Sequence, residues 1–259
     1  MKKLGLALGA GGIRGAAHVG FLKALEEAGI KPDYIVGSSM GAIVGGAYAL
    51  GIPTEDIYKA VSKIKLRKLF APTLKKGGFC SSRRMRKLLK KYFGVHTFSD
   101  TKIPFCAVAT DMYAQETVLL CEGTLVDGIA ASANMPIVFR PEIVGKRRLA
   151  DGGILERVPA KQVKEMGADV VVAVDVLGWN KSPERLTGAV GTVLHYINMT
   201  DNYRTAALRK EREEYIDFWL EPKMENFSQY AFRGFREAYE SGYALGKEYA
   251  QDIRKALGE

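Results

Sequence analysis

Short apolar runs alternate with segments of mixed character along the first fifty residues, and glycines mark nearly every change between them. Leu4-Leu8 predicts a strand, Gly9-Gly15 a glycine-rich turn, and Ala16-Ala28 a helix ending at Gly29. A second strand is expected around Tyr34-Val36. The turn Gly37-Gly41 and a small-residue helix to Leu50 follow it, ahead of Gly51 and Pro53. This β-α-β-α opening predicts an α/β fold, a three-layer α/β/α sandwich around a mostly parallel sheet. Thr54 is placed to cap a helix through about Ile64, and Ser81 or Ser82 another through Tyr92. Phe105-Ala109, Thr117-Leu120 and Val170-Val176 are short and β-branched, which suits sheet strands, the last fully buried. From Glu184 the pattern turns helical, with one strand at Ile216-Leu220 and a closing amphipathic helix from about Phe235 to Leu257. No repeat, low-complexity tract or linker interrupts residues 1-259, so a single domain is expected.

Composition narrows the class. Of 259 residues, 47% are apolar and 26% charged, the profile of a soluble globular chain. The net charge of +9 requires a polyanionic partner to be considered, either nucleic acid or an anionic membrane. No RNA- or DNA-binding signature accompanies the charge, so nucleic acid is not expected as a partner. Lys65-Phe79 alternates lysine and arginine with leucine and phenylalanine, which suits peripheral contact with an anionic membrane through Leu69, Phe70 and Phe79 beside Lys68, Lys75 and Lys76. As readily, it is a basic connector. The run Arg83-Arg84-Met85-Arg86-Lys87 reads as the solvated face of a helix. Apolar stretches stay below the roughly 18 residues of a membrane span, and the N-terminus lacks a signal-peptide pattern. Cys80, Cys106 and Cys121 are odd in number and show no CxxC spacing, which fits a reducing compartment without a disulfide framework or a zinc site. A cytoplasmic protein is expected, peripheral at most at the inner membrane surface, with no metal or organic cofactor; its oligomeric state is not legible.

The candidate chemistry lies in two turns and an aspartate. Gly9-Ala10-Gly11-Gly12-Ile13-Arg14-Gly15 joins a strand to a helix, where backbone N–H groups and the helix dipole favour negative charge. A dinucleotide site would use such a loop, but the second strand would then end in an acid; it ends in Gly37-Ser38-Ser39, and Asp33 precedes it. An oxyanion hole would use the amides of Gly11, Gly12 and Ile13, with Arg14 completing the loop. The G-x-S-x-G turn favours the second use. Gly37 and Gly41 permit a tight turn that leaves Ser39 exposed as a nucleophile, and a serine needs a base. Among three histidines, His18 sits in the first helix, His96 in a polar segment, and His195 in a helix-like run; only His195 follows the serine and an acid in α/β-hydrolase order. A carboxylate is the other candidate: Arg147-Arg148-Leu149-Ala150 runs into Asp151-Gly152-Gly153, setting Asp151 on an unobstructed bend. Each element also has a purely structural reading as a turn.

Taken together, Gly11-Gly12-Ile13-Arg14-Gly15, Gly37-Ser38-Ser39-Met40-Gly41 and Asp151-Gly152-Gly153 resemble the three motifs of the patatin-like phospholipases, in that family's order. Ser132-Ala133-Asn134-Met135-Pro136 is similar to its S-x-x-x-P segment, and the resemblance covers roughly residues 4 to 176. It implies a Ser39-Asp151 dyad without histidine, an oxyanion hole in the glycine loop, and acyl esters of glycerophospholipids or lysophospholipids as substrates. Arg14 would then orient the loop or meet a lipid phosphate. Ala10 and Ile137 stand where the family often has glycine. The helical part, about 180-259, lies outside the resemblance. Two rival readings remain beside it: an α/β-hydrolase esterase with a Ser39-Asp151-His195 triad, and a nucleotide-binding protein using the glycine loop.

Overall fold

The computed structural model describes residues 2-63, 82-135, 139-179, 188-224 and 234-258. Its centre is an eight-stranded sheet of β1 (Leu4–Leu8), β2 (Tyr34–Ser38), β3 (Phe105–Asp111), β4 (Glu116–Leu120), β5 (Glu142–Val144), β6 (Arg147–Asp151), β7 (Val170–Val174) and β8 (Phe218–Leu220). The order is β5-β6-β3-β2-β1-β7-β8, with β4 also paired to β3. From β3 to β8 the path is parallel; β4, β5 and β6 pair antiparallel. The fold is thus mixed α/β with a mostly parallel central sheet.

Period-two alternation sorts the strand residues between two faces. Leu4, Leu6 and Leu8 join Ile35, Phe105, Val170, Val172 and Val174 in the larger core, under α1 (Ala16–Glu27), α2 (Met40–Ala49), α3 (Thr54–Ser62), α4 (Arg83–Phe93) and α5 (Leu125–Ser132). Ala7, Val36, Val108, Val171 and Ala173 face the other way, against Ala160 and Val163 of α6 (Ala160–Glu165). Small residues on this face let α6 and its following turn come close: a Cβ on Gly5 would lie 2.6 Å from that of Ala168. Two helices complete the described chain, α7 (Gly188–Glu211) and α8 (Phe235–Leu257). α8 lies on α1 through glycines, and a Cβ on Gly242 would sit 1.9 Å from the Ala17 carbonyl oxygen.

The register on β3 creates the site. Gly37 and Leu120 flank Ala107 on opposite edges, and Asp151 and Val118 flank Ala109 in the same way. With β4 holding one edge throughout, β2 and β6 share the other. β2 runs parallel to β3 and stops at Ser38, opposite Val108; β6 runs antiparallel and stops at Asp151, opposite Ala109. Two strand C-termini therefore meet head to head on neighbouring positions of one template strand. Residues 112 positions apart are brought into contact by that convergence.

Three expectations need correction. Thr54 does not cap α3: Pro53 holds that position, and the Thr54 hydroxyl donates to Glu26 at 2.7 Å. Ser82 precedes α4 but makes no side-chain cap bond. Cys106 and Cys121 form a disulfide, because Ala107 pairs with Leu120 and the next antiparallel positions out are the two cysteines. Their sequence separation of 15 gave no local motif; register alone reveals the pair. The cysteines therefore no longer argue for a reducing compartment. Ile64, Lys65-Phe79, Cys80, Ser81, Ile137 and Glu184 lie outside the described residues.

Candidate active site

Ser39 occupies the sharp turn between β2 and α2 at φ 53° and ψ −117°, a conformation a residue with a Cβ adopts only under constraint. The constraint comes from its neighbours. A Cβ on Gly37 would lie 2.5 Å from the Ala42 backbone, and one on Gly41 only 2.1 Å from the Leu8 carbonyl oxygen, so α2 can start this close to β2 and β1 only with glycine at the two places respectively. A serine at a helix N-cap ordinarily accepts a bond from the first turn. Ser39 makes no such bond; its Oγ donates to Asp151 Oδ2 at 2.6 Å instead.

Asp151 is buried at the end of β6 and held at four points. Oδ1 accepts from the Gly153 amide at 2.8 Å, Oδ2 from Ser39, its backbone N–H donates to the Asn134 carbonyl, and its own carbonyl accepts from Thr110 Oγ1. Burial pushes the carboxyl up to about 6, against the lowering effect of the Ser39 and Gly153 bonds, with the charge of Asp201 adding to the rise. The Ser132-Met135 segment touches both partners: Ser132 Oγ accepts from the Ser39 amide at 2.9 Å, and the Asn134 side chain ties to the carbonyls of Arg140 and Leu149. These bonds are what Ser132 and Asn134 of the S-x-x-x-P segment contribute; Pro136 lies outside the described residues.

The glycine loop faces the pair. Gly9 and Ala10 are fixed by bonds to the carbonyls of Val174 and Arg157, after which Gly11 and Gly12 line the same cavity as Ser39 and Asp151. Gly12 begins a 3-10 turn at φ 52°, where the opening N–H groups have no acceptor within the turn. Among the described residues, no hydrogen bond occupies the amides of Gly11, Gly12 or Ile13. Of the two roles expected of Arg14, its geometry suits the first, orienting the loop. Its amide donates to the Gly11 carbonyl, closing the turn, and its side chain runs inward to the Met224 carbonyl, where burial lowers the pKa of the guanidinium. It braces the loop from behind and is not placed to meet a phosphate at the surface. His18 acts similarly: Nε2 lies 2.8 Å from the Gly9 carbonyl, which can only accept, so Nε2 carries the proton and the buried ring stays neutral, its pKa lowered to about 4 by burial.

The cavity has a volume of about 290 Å³. Met135, Ile154, Leu177 and Ile197 supply its apolar lining, and α7 closes one wall with Thr200, Asp201 and Arg204. This wall was not legible in the sequence. Arg157, just past the Asp151 turn, is buried between Asp175 at 2.6 Å and Asp201 at 2.8 Å; Arg204 bonds both Asp201 and the Gly153 carbonyl. The only local signal was the Asp201-Arg204 pair at i, i+3; Asp175 lies within the segment expected as a buried strand, and nothing in the sequence ties it to Arg157, 18 positions away. His195 is exposed on α7 and does not line the cavity, and His96 pairs with Asp100 on the surface. Asp33, the acid a nucleotide reading needs, accepts from the Leu4 amide at the opposite end of β1 from the loop. No three His, Cys, Asp or Glu side chains converge as a metal site among the described residues, and no described helix is long and apolar enough to cross a membrane.

Comparisons with known proteins bear on the fold and the family. An NTE family protein of Mycobacterium tuberculosis (strain ATCC 25618 / H37Rv) is 36% identical over 185 residues, covering 71% of this chain and 51% of the relative. Lysophospholipase nte1 of Emericella nidulans is 28% identical over 291 residues, covering 98% of this chain and 18% of the relative. The chain thus spans about half the length of the mycobacterial relative and under a fifth of the fungal one. Among solved structures, VipD of Legionella pneumophila superposes with a TM-score of 0.67 at 16% identity, over 97% of this chain and 67% of that one. ExoU of Pseudomonas aeruginosa, in complex with SpcU, gives 0.54 at 14% identity, over all of this chain and 53% of its own. These likenesses speak to the fold. The family model of the patatin-like phospholipases matches residues 6–164, more than half of the chain and all three motifs, and the chain belongs to that family.

Proposed function

We propose that the protein is a serine acyl hydrolase that cleaves acyl esters of glycerophospholipids or lysophospholipids with a Ser39-Asp151 dyad. One observation carries the reading: the Ser39 hydroxyl donates at 2.6 Å to a buried carboxylate from a backbone conformation that favours no ordinary cap. Ser39 Oγ attacks the ester carbonyl carbon while Asp151 Oδ2 takes its proton. The oxygen that becomes negative is received by the Gly11, Gly12 and Ile13 amides, an effect typically worth about 3–4 kcal/mol per donor. Collapse of the tetrahedral species breaks the ester C–O bond, and Asp151 returns its proton to the departing alkoxide. Water then attacks the acyl-serine, giving a proton to Asp151, and the second collapse restores Ser39 and releases the fatty acid. A carboxylate whose pKa is pushed up to about 6 is a stronger base than a surface one yet still ionised at neutral pH, which suits both half-reactions. The fungal lysophospholipase likeness and the apolar lining of the cavity support a lipid acyl chain as the group transferred.

The test is labelling of intact protein with a fluorophosphonate, together with turnover of a short-chain ester, for wild type, Ser39→Ala, Asp151→Asn and His195→Ala. Labelling is expected to require Ser39. Turnover is expected to fall at least about a thousandfold in Ser39→Ala and Asp151→Asn and to survive in His195→Ala. Loss of turnover in His195→Ala would replace the dyad by a triad.

A further inference from the structure

From Gly188 to Tyr203, about 24 Å of helix, α7 carries one formally charged residue, Asp201, in a chain that is 26% charged. Asp201 turns inward to Arg157 and Arg204. The outward side bears Val193, Tyr196, Met199 and Tyr203, between 43% and 67% exposed, and the exposed Trp179 meets the Tyr203 ring edge-on at 5.3 Å between centroids. Spacings of three, three and four keep these residues on one stripe. The neighbouring stripe, Ile197, Thr200, Asp201 and Arg204, lines the cavity that holds Ser39 and Asp151. One helix therefore offers its inner side to the reacting groups and an uncharged, aromatic side to solvent, and no described residue covers the latter.

We infer that this stripe, Val193, Tyr196, Met199 and Tyr203 with Trp179, is a docking surface for a lipid bilayer, which seats the wall of the cavity at the interface where acyl esters reside. The inference rests on the acyl hydrolase reading. Continuity carries it: a water-insoluble ester must cross from bilayer to cavity, and a surface that adjoins the cavity wall shortens that transfer through water. Composition agrees. Tyrosine and tryptophan combine an apolar body with a polar tip and favour the headgroup level, while the absence of outward charge spares the desolvation that would oppose insertion. A chain of net charge +9 is also drawn to anionic lipid from a distance.

The experiment follows Trp179 fluorescence in a Ser39→Ala, Trp219→Phe chain, which keeps a single tryptophan and cannot digest the membrane. Vesicles of phosphatidylcholine with phosphatidylglycerol should shift the emission to the blue, and lipids brominated on their acyl chains should quench it. Adding Tyr196→Ser, Met199→Ser and Tyr203→Ser should weaken vesicle binding at least about tenfold. With Ser39 intact, the same three changes should slow hydrolysis of vesicle-borne phospholipid by a similar factor and leave turnover of a soluble short-chain ester unchanged, which also shows that the fold survives. Equal vesicle binding by the triple variant overturns the inference. So does a wild-type dimer that the triple variant splits, since the stripe would then be an interface between two copies. A wild type that cleaves the soluble ester but ignores vesicles sinks the docking surface alone; one that binds vesicles and cleaves neither substrate sinks the hydrolase reading and leaves the surface standing.

Discussion

Under the proposed mechanism, Ser39 and Asp151 exchange local stability for chemistry. The serine forgoes its cap bond and sits at positive φ, and the carboxyl is buried at a cost that appears as a pKa raised to about 6. Because kcat/KM reports the free enzyme, its acid limb should have an apparent pKa near 6, with activity falling as Asp151 gains a proton. Asp201 contributes to that rise through its charge. Asp201→Asn is therefore expected to move the acid limb to lower pH, as measured by pH-rate profiles on a soluble ester. An unmoved limb would mean that burial alone sets the value. Ser39 and Asp151 were legible in the sequence because each needs flanking glycines for backbone clearance, and glycine patterns survive in a one-dimensional reading. Asp201, Arg157 and Asp175 were not. Their role depends on burial against one another across the fold, and nothing local distinguishes a buried arginine from an exposed one. Arg14 was legible as a member of the loop but not in its direction, which the carbonyl of Met224, 210 residues away, decides.

Elements with a strong period declared themselves. α8 was expected over Phe235 to Leu257 and is observed there, since its buried Ala238, Gly242, Leu245, Gly246, Ile253 and Leu257 recur at helical spacing. β5, α5 and α6 were not anticipated: β5 is three residues long, and the two helices are short enough that their apolar runs do not complete a recognisable period. Nor could any strand pattern announce that β2 and β6 end head to head on β3, because register is a property of pairs. The contact of α1 with α8 was equally silent, yet it has a sharp consequence. Gly242→Ala improves intrinsic helix propensity by about 1 kcal/mol, but its Cβ would stand 1.9 Å from the Ala17 carbonyl oxygen, a backbone atom with little room to yield. The variant should lose about 1–3 kcal/mol net in urea unfolding, and Gln251→Ala, exposed on the same helix, should stay within about 0.5 kcal/mol of wild type. A stabilised Gly242→Ala chain would mean that the two helices can separate without loss.

At the scale of the whole molecule, the cost of building the site should be measurable as stability. Asp151 has an ordinary carboxyl pKa of 3.8 when unfolded and about 6 when folded. The folded state therefore binds the proton more tightly, and the sign follows: the contribution of this group is fully present below pH 3.8, declines as pH rises through 6, and leaves the native state penalised at neutral pH and above. The difference corresponds to about 3 kcal/mol, an order-of-magnitude figure. Asp151→Asn removes the titration while keeping the shape. The amide oxygen can accept from Gly153 where Oδ1 does, and the amide nitrogen can donate to Ser39 Oγ in place of the bond that Oδ2 accepts. His18 titrates in the opposite sense, neutral in the fold down to about pH 4, so acid weakens the native state through it; that loss is common to both proteins and cancels in their difference. Urea unfolding should find Asp151→Asn inactive and about 2–3 kcal/mol more stable than wild type at pH 8. The advantage should shrink as pH falls through 6 and vanish near 3.8. If it stays constant across that range, the gain comes from packing and the buried carboxylate carries no electrostatic penalty; if Asp151→Asn is the less stable protein at pH 8, the bonds from Ser39 and Gly153 outweigh the burial that raises its pKa.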